Sequence, residues 1–434
     1  MTALVAQFAA CAKPDILAGA SEGRIVAKHI LIVGAGQAGF QTALSLRQGG
    51  WRGALTLIGD EPHAPYQRPP LSKTFLAGEL SQERLFFRPP PFYAEQTIDL
   101  ITDAPVDAVQ PDAKEVQLAD GRRIAYDALV LATGSQPRQI ETGAPLHGLH
   151  SLADSDKLRT RLGKKHTWAI IGGGYIGLEA AATAVKAGVS VQVLEAAPRL
   201  LARVTAPPLS EFFFAQHRAA GVELRCDAAV EEVAAGAAST SSAPKTDAHT
   251  VRLADGSRLK ADTVLLAIGI RPNTSLAEAA GLEVEDGIVI DAAGRTSAPH
   301  IYACGDCTRQ HHPLYERRVR LESVQNAIAQ AKLVAASLLG QTPRPPPVPW
   351  FWSDQYQLKL QIAGLSQGYT RCVPRGRADS GSFALFYFHG PRLIACDAVN
   401  RPAEFMMSQR LIAARAAPDP RQLADENSAP KSWL

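Results

Sequence analysis

The sequence predicts an α/β protein of two doubly wound units followed by a smaller C-terminal α+β domain. Three observations carry this. A strand, a glycine cluster, a helix and a second strand ending on an acid run from Trp168 to Glu195. The same order of signals opens at Lys28. A proline-rich stretch, Pro343–Pro349, then separates both units from a region of alternating strands.

Residues 1–27 are read as a poorly ordered extension. Ala3 to Ala12 is apolar, but Lys13 follows the apolar part instead of preceding it, against the order of a secretory signal. The first unit begins with KHILIVGAGQAG, Lys28 to Gly39, in which Gly34, Gly36 and Gly39 have G-x-G-x-x-G spacing. The first glycine permits a tight turn, the second lets backbone approach a pyrophosphate, and the third lets helix and strand pack closely. N–H groups at the start of the helix Phe40–Leu46 would receive the phosphates. The strand Leu55–Ile58 ends at Asp60–Glu61, and either acid can hold a ribose.

YQRPPLSK, Tyr66 to Lys73, is stiffened by two prolines and presents a lysine. Arg88 to Pro91 reads as another rigid connector. Val116 to Arg123 predicts a hairpin turning at Asp120–Gly121. Ala128 to Arg138 is then a buried strand with a turn at Thr133–Gly134.

The second unit repeats the plan. Ala169 to Ile171 is a short apolar strand, and Gly172, Gly174 and Gly177 have the same spacing, with Ile176 inside the loop. Leu178 to Ala187 is alanine-rich and helix-forming, with Gly188 as its C-cap. The strand Val189–Leu194 ends on Glu195, where a carboxylate would take ribose hydroxyls and repel a 2′-phosphate. Two such units imply two Rossmann-like dinucleotide sites, read economically as FAD at the first and NADH at the second. Ala234 to His249 is low-complexity and reads as a mobile loop within a hairpin. Thr263 to Asn273, with Gly269 and Arg271, repeats the strand-and-glycine ending of Ala128–Arg138.

In HIYACGDCTR, His300 to Arg309, Cys304 and Cys307 have C-x-x-C spacing. A redox pair or half a metal site must be weighed, but no second C-x-x-C and no thioredoxin pattern accompany it. A strand whose end offers Asp306 to the ribityl chain or pyrophosphate of FAD explains it better. His311–His312 lacks partners at ligand spacing and reads as a polar loop, so no metal is expected. Glu322 to Leu339 predicts a helix with apolar residues at helical spacing. After the linker, Trp350 to Tyr356 opens a region with strands at Leu358–Ala363, Phe383–His389 and Leu393–Val399, and Trp352 could cover a flavin face.

At 434 residues the chain can hold two or three domains. A net charge of +3 gives no signal for nucleic acid, and no apolar run approaches the roughly 18 residues of a spanning helix. Six cysteines in this length do not form a disulfide scaffold, so a cytoplasmic protein is expected.

The stretches YQRPPLSK, LATGSQPR, GGGYIGLEAAATA, LLARVTAPPLSEFF, GIRPN, ACGDC, RLESVQNA and PWFWSDQY together resemble the NADH-dependent, FAD-containing ferredoxin reductases of bacterial oxygenase systems. The resemblance covers about residues 28–425 and implies a glutathione-reductase-like fold. It implies an FAD-binding domain at 28–147 and 271–342, an NADH-binding domain at 148–270 and a C-terminal domain at 349–434. FAD contacts are implied at Ala38, Asp60, Lys73, Val106, Asp306 and Val324, beside Gly34, Gly36, Gly39, Thr133 and Gly134. NADH would lie on Gly172, Gly174, Ile176, Gly177, Glu195 and Gly269, with Glu179 near the nicotinamide and able to pair with Lys73. Lys73, Glu179 and Trp352 are thus the catalytic candidates. His150 stands where the family often has an arginine.

The implied activity is electron transfer from NADH through FAD to a 2Fe–2S ferredoxin, which would feed a haem-thiolate monooxygenase or a Rieske-type oxygenase. A basic docking patch is expected, with Arg317, Arg318, Arg320 and Lys332 as candidates, on a monomer or weak homodimer. Two rivals remain. An NADH oxidase or disulfide reductase needs a cysteine in the first FAD half, and Lys28 to Arg225 contains none. An NADH-binding signalling flavoprotein is the other.

Overall fold

The computed structural model describes residues 28–235 and 249–433; the N-terminal extension and nearly all of the Ala234–His249 loop lie outside them. Two parallel sheets form its centre. The first is ordered Ile301–Ala303, Ala128–Leu131, His29–Val33, Ala54–Ile58, Asp99–Ile101. The second is ordered Glu223–Arg225, Ser190–Leu194, Thr167–Ile171, Thr263–Leu266. The central strands are apolar along their length because helices or loops cover both faces of each sheet. On one face of the first sheet, Ala38, Ala43 and Leu46 of the helix Gln37–Gln48 share a core with Ala327, Val334 and Leu338 of the helix Val324–Leu338.

Each central helix begins immediately after its glycine turn. Helix Gln37–Gln48 starts earlier than its apolar residues suggest, and Tyr175–Lys186 likewise begins before Leu178. Gly188 stops the second helix in the left-handed region, at φ +85. The Asp120–Gly121 hairpin is present and joins Val106–Gln110 in a three-stranded antiparallel sheet. The two units meet through Ser135–Pro137 and Ile270–Pro272, which pair antiparallel.

The C-terminal region is a five-stranded antiparallel sheet ordered Trp350–Gln355, Leu358–Gly364, Arg392–Val399, Ser382–His389, Arg371–Arg377. The helix Pro402–Ala413 places Phe405, Leu411 and Ile412 on Phe386, Phe388 and Ala398. Arg371–Arg377 is not evident from sequence because arginines and Pro374 interrupt it. Its edge position is where a strand tolerates proline. The other face of the sheet packs Leu360, Phe383 and Leu385 on Leu209, Phe212 and Phe213 of the helix Pro207–Ala219.

One loop reading is corrected. His311–His312 belongs to a strand, Thr308–His312, paired with Ile288–Ile290 and Arg317–Val319. His312 is buried and lies 3.3 Å from both the Pro347 carbonyl and the Leu314 N–H. Burial pushes its pKa down, so it is a neutral packing histidine.

Candidate active site

Both glycine turns are built for a diphosphate. A Cβ on Gly34 would overlap the Ala132 carbonyl, and one on Gly39 the Gly34 carbonyl. The same overlaps recur at Gly172 with Ala267 and at Gly177 with Gly172. Gly36 and Gly174 differ, since a Cβ on either would meet nothing within 4 Å. Each is the N-cap of its helix, with no side chain bonded to the free N–H groups. The open space therefore faces a helix N-terminus, a cradle for phosphate.

Around the first cradle a cavity is lined by Gly36, Gly59, Asp60, Glu61, Tyr66 and Arg68, among others. Glu61 is already committed, accepting from the Tyr66 hydroxyl at 2.6 Å and from Arg68 at 2.7 Å. Asp60 makes no such bond among the described residues, which leaves it the acid able to hold a ribose. Arg68 also donates to the His150 carbonyl at 2.6 Å and so brings a guanidinium to the corner that His150 leaves uncharged. Burial first, then Arg68, pushes the His150 pKa down to about 4.

Asp306 follows the turn after Ile301–Ala303, and among the described residues its carboxyl accepts one hydrogen bond, from Ser135 at 3.2 Å. Burial pushes its carboxyl up to about 6. A half-buried carboxyl with acceptor capacity to spare suits a polyol such as a ribityl chain. Ala38 packs against Gly305 in the adjoining turn. Thr133 is spent on the joint between units, donating to the Asn273 carbonyl at 2.7 Å, while Gly134 holds the turn at φ +66. Val106 begins its strand outside both cavity linings. Open phosphate cradle, free Asp60 and underused Asp306 together fit FAD.

A second cavity, about 300 Å³, is lined by Gln37, Gln67, Pro69, Pro70, Lys73, Thr74, Val324, Trp352 and Asp354. Pro69 and Pro70 open a tight helical turn, Pro69–Ser72, which aims Ser72 and Lys73 at the second unit. Lys73 Nζ lies 2.5 Å from Glu179 Oε2. Glu179 is 2% exposed, in the second turn of the helix Tyr175–Lys186. Ser72 Oγ donates to the same oxygen at 2.6 Å, and Ser353 Oγ donates to Oε1 at 2.7 Å. Thr183 fastens the helix to the turn through the Ser72 carbonyl at 2.9 Å. The pair thus joins the first unit, the second unit and the C-terminal sheet.

At the second cradle, Glu195 accepts from Gly173 N at 2.7 Å and Ala197 N at 2.8 Å. These bonds fix the carboxylate at the strand end and leave it further acceptor capacity. Ile176 is 43% exposed, unusual for a large apolar side chain beside a cleft. Gly269, at φ +101, keeps room for Arg203, whose Nη2 would lie 3.2 Å from an added Cβ. The second cradle thus fits a nicotinamide dinucleotide.

Cys304 and Cys307 are fully buried and free. Burial pushes the Cys304 thiol up to about 12 and raises Cys307 as well. Neither lines the Lys73 cavity. The basic patch expected at Arg317, Arg318, Arg320 and Lys332 is corrected in part. Arg318 pairs with Glu283 and Glu285, and Arg320 with Asp286 and Glu322, so two of its cations are locally neutralised.

Sequence reasoning missed Ser72, Ser353, Gln355 and His217 around Glu179. Ser72 sits beside Lys73 in YQRPPLSK. Ser353 and Gln355 have the alternation of the Trp350–Gln355 strand as their signal, since Trp352 and Asp354 line the cavity while Ser353 turns the other way. His217, on the helix Pro207–Ala219, has none.

Fold and site define an FAD- and nicotinamide-dependent oxidoreductase. Residues 28–331 match the model of the pyridine nucleotide-disulphide oxidoreductases, and 350–434 match a reductase C-terminal domain. The chain is 45% identical over 406 residues to putidaredoxin reductase of Pseudomonas putida, covering 92% of this chain and 95% of that protein. It is 41% identical to rhodocoxin reductase of Rhodococcus erythropolis, covering 91% and 92%. Among solved structures, the covalent putidaredoxin reductase–putidaredoxin complex matches with a TM-score of 0.89 at 44% identity, covering 93% of this chain and 97% of that one. The chain belongs to the pyridine nucleotide-disulphide oxidoreductase family, in its ferredoxin reductase branch.

Proposed function

We propose that this protein is an NADH:ferredoxin oxidoreductase that delivers electrons to a 2Fe–2S ferredoxin of a haem-thiolate monooxygenase or Rieske-type oxygenase system. One observation carries the reading. The Lys73 cavity presents a cation paired with a buried acid, an aromatic at Trp352 and no cysteine among its lining residues. A flavin site so furnished suits hydride uptake and electron release, and lacks the thiolate that disulfide chemistry requires.

FAD held there would supply the redox chemistry, a hydride acceptor able to give up electrons one at a time. The protein orients and stabilises. Residues 28–147 and 271–342 form the FAD-binding domain, 148–270 the NADH-binding domain and 349–434 the C-terminal domain. Gly34, Gly36, Ala38, Gly39, Asp60, Val106, Thr133, Gly134, Asp306 and Val324 hold FAD. Gly172, Gly174, Ile176, Gly177, Glu195 and Gly269 hold NADH, and the Glu195 carboxylate disfavours a 2′-phosphate. Lys73 offers positive charge to the cavity, Glu179 orients Lys73, and Trp352 bounds the cavity from the C-terminal sheet.

The cysteines of the described residues are all free, which suits a reducing cytoplasm. No helix of the described residues is long and apolar enough to cross a membrane. A monomer or weak homodimer completes the reading. The test compares acceptors at fixed NADH: a 2Fe–2S ferredoxin should be reduced far faster than oxygen or a small disulfide is. Turnover sustained by oxygen or a disulfide alone would move the protein to another branch of its family.

A further inference from the structure

The edge strand Trp350–Gln355 divides its side chains between two tasks. Trp352 and Asp354 line the Lys73 cavity, while Phe351, Ser353 and Gln355 meet the second unit. Phe351 packs on Tyr175 with ring centroids 4.9 Å apart. Ser353 and Gln355 belong to a longer chain of hydrogen bonds.

The Tyr356 hydroxyl lies 2.9 Å from His217 Nδ1, and His217 Nε2 lies 2.8 Å from Gln355 Oε1. Gln355 Nε2 donates to Ser353 Oγ at 3.1 Å, and Ser353 Oγ donates to Glu179 Oε1 at 2.7 Å. Each link fixes the next. An amide carbonyl only accepts, so His217 carries its proton on Nε2, which leaves Nδ1 to accept from Tyr356. With its carbonyl on His217, Gln355 turns its N–H groups to Ser353. That fills the acceptor side of the Ser353 hydroxyl and aims its proton at Glu179. His217 is 0% exposed, and burial pushes its pKa down, so the neutral tautomer is the relevant one.

The opposite polarity is also self-consistent. A proton on His217 Nδ1 would turn the Gln355 amide over and take the Ser353 proton away from Glu179. The ion pair at the head of the chain selects between the two directions. A neutral amide in the middle does not relay protons at ordinary cost, so the chain orients and does not conduct.

We propose that Ser353, Gln355 and His217 are positioning residues for Glu179. They hold its free oxygen in place while Lys73 and Ser72 occupy the other. The geometry of the Lys73–Glu179 pair thereby depends on how the C-terminal sheet seats on the helix Pro207–Ala219. The inference deepens the reading of that pair given above and rests on it.

The test uses the full FAD-loaded chain with Gln355→Met, which keeps volume and removes both bonds, and Ser353→Ala beside Ser353→Thr. Flavin reduction by NADH should slow about 10-fold in Gln355→Met, because Ser353 loses the donor that aims its hydroxyl at Glu179. The NADH KM should stay within about 2-fold, since no substrate contact is removed. Without activity being measured, the flavin midpoint potential should become more negative, because Lys73 is then drawn more fully to Glu179. Ser353→Thr should restore most of what Ser353→Ala loses. Parental rate and potential in Gln355→Met at an unchanged melting temperature would overturn the inference. So would a rate loss matched by an equal rise in KM at unchanged potential. Glu179→Gln separates the two readings: if it too leaves flavin reduction untouched, the assignment of the pair itself fails.

Discussion

Lys73 and Glu179 sit 2.5 Å apart, yet they come from different dinucleotide units. Removing Lys73 leaves a carboxylate that is 2% exposed with, among the described residues, two serine donors. Lys73→Met should therefore lower stability by about 2–3 kcal/mol, below the fully buried case because the lysine itself is 19% exposed. Flavin reduction by NADH should fall at least 10-fold on losing the cation. The double variant Lys73→Met/Glu179→Met should recover stability but not rate. Thermal melts and stopped-flow traces of the three proteins check both.

Gly36 and Gly174 are the only members of their triplets at which a Cβ meets open space, and both have negative φ, near −79 and −83. Each should therefore accept valine without unfolding. Gly36→Val should yield a folded protein that purifies without flavin. Gly174→Val should purify yellow and lose NADH-dependent bleaching, while chemical reduction of its flavin stays normal. Absorbance and circular dichroism distinguish these outcomes.

The buried thiols of Cys304 and Cys307 have pKa values raised by burial, so they remain protonated and unreactive near neutral pH. Cys304→Ser/Cys307→Ser should retain NADH-to-ferredoxin turnover within about 3-fold, a packing effect on the strand end. Loss of turnover with FAD retained would assign the pair a redox part.

Asp397 gives a pH signature. It accepts from Thr205 at 2.5 Å and Tyr387 at 2.6 Å through one oxygen, and its other oxygen is buried with no hydrogen-bond partner among the described residues. Burial pushes its carboxyl up to about 6, from the usual 3.8. The folded state then binds this proton more tightly than the unfolded chain does. Its contribution to stability is complete below about pH 4 and is lost as pH rises through about 6, a difference of about 3 kcal/mol. Asp397→Asn keeps an acceptor for both hydroxyls and cannot ionise. Its melting temperature relative to the parent should rise between pH 5 and pH 8.

Local rules made the two central units legible. The glycine spacing, the following helices and the acids at the strand ends are short-range signals, and the space around Gly36 and Gly174 has the asymmetry that spacing alone implies. The same rules marked out Lys73 and Trp352; Glu179 and its pairing with Lys73 came from the family resemblance, not from local rules. Such rules could not supply Ser353 to Glu179, 174 residues away, or His217 to Gln355, 138 residues away, because hydrogen bonds of that span are set by how sheets seat on helices. The arginines of the expected docking patch show the converse failure. Sequence displays Arg318 and Arg320 as a charge run, and only the fold brings Glu283, Glu285 and Asp286 against them.

The central claim is tested most directly by anaerobic stopped-flow mixing of the FAD-loaded protein with NADH, followed by excess oxidised 2Fe–2S ferredoxin. The flavin band should bleach rapidly and then return as the ferredoxin is reduced. Bleaching that persists in the presence of ferredoxin until oxygen or a disulfide is admitted would contradict it.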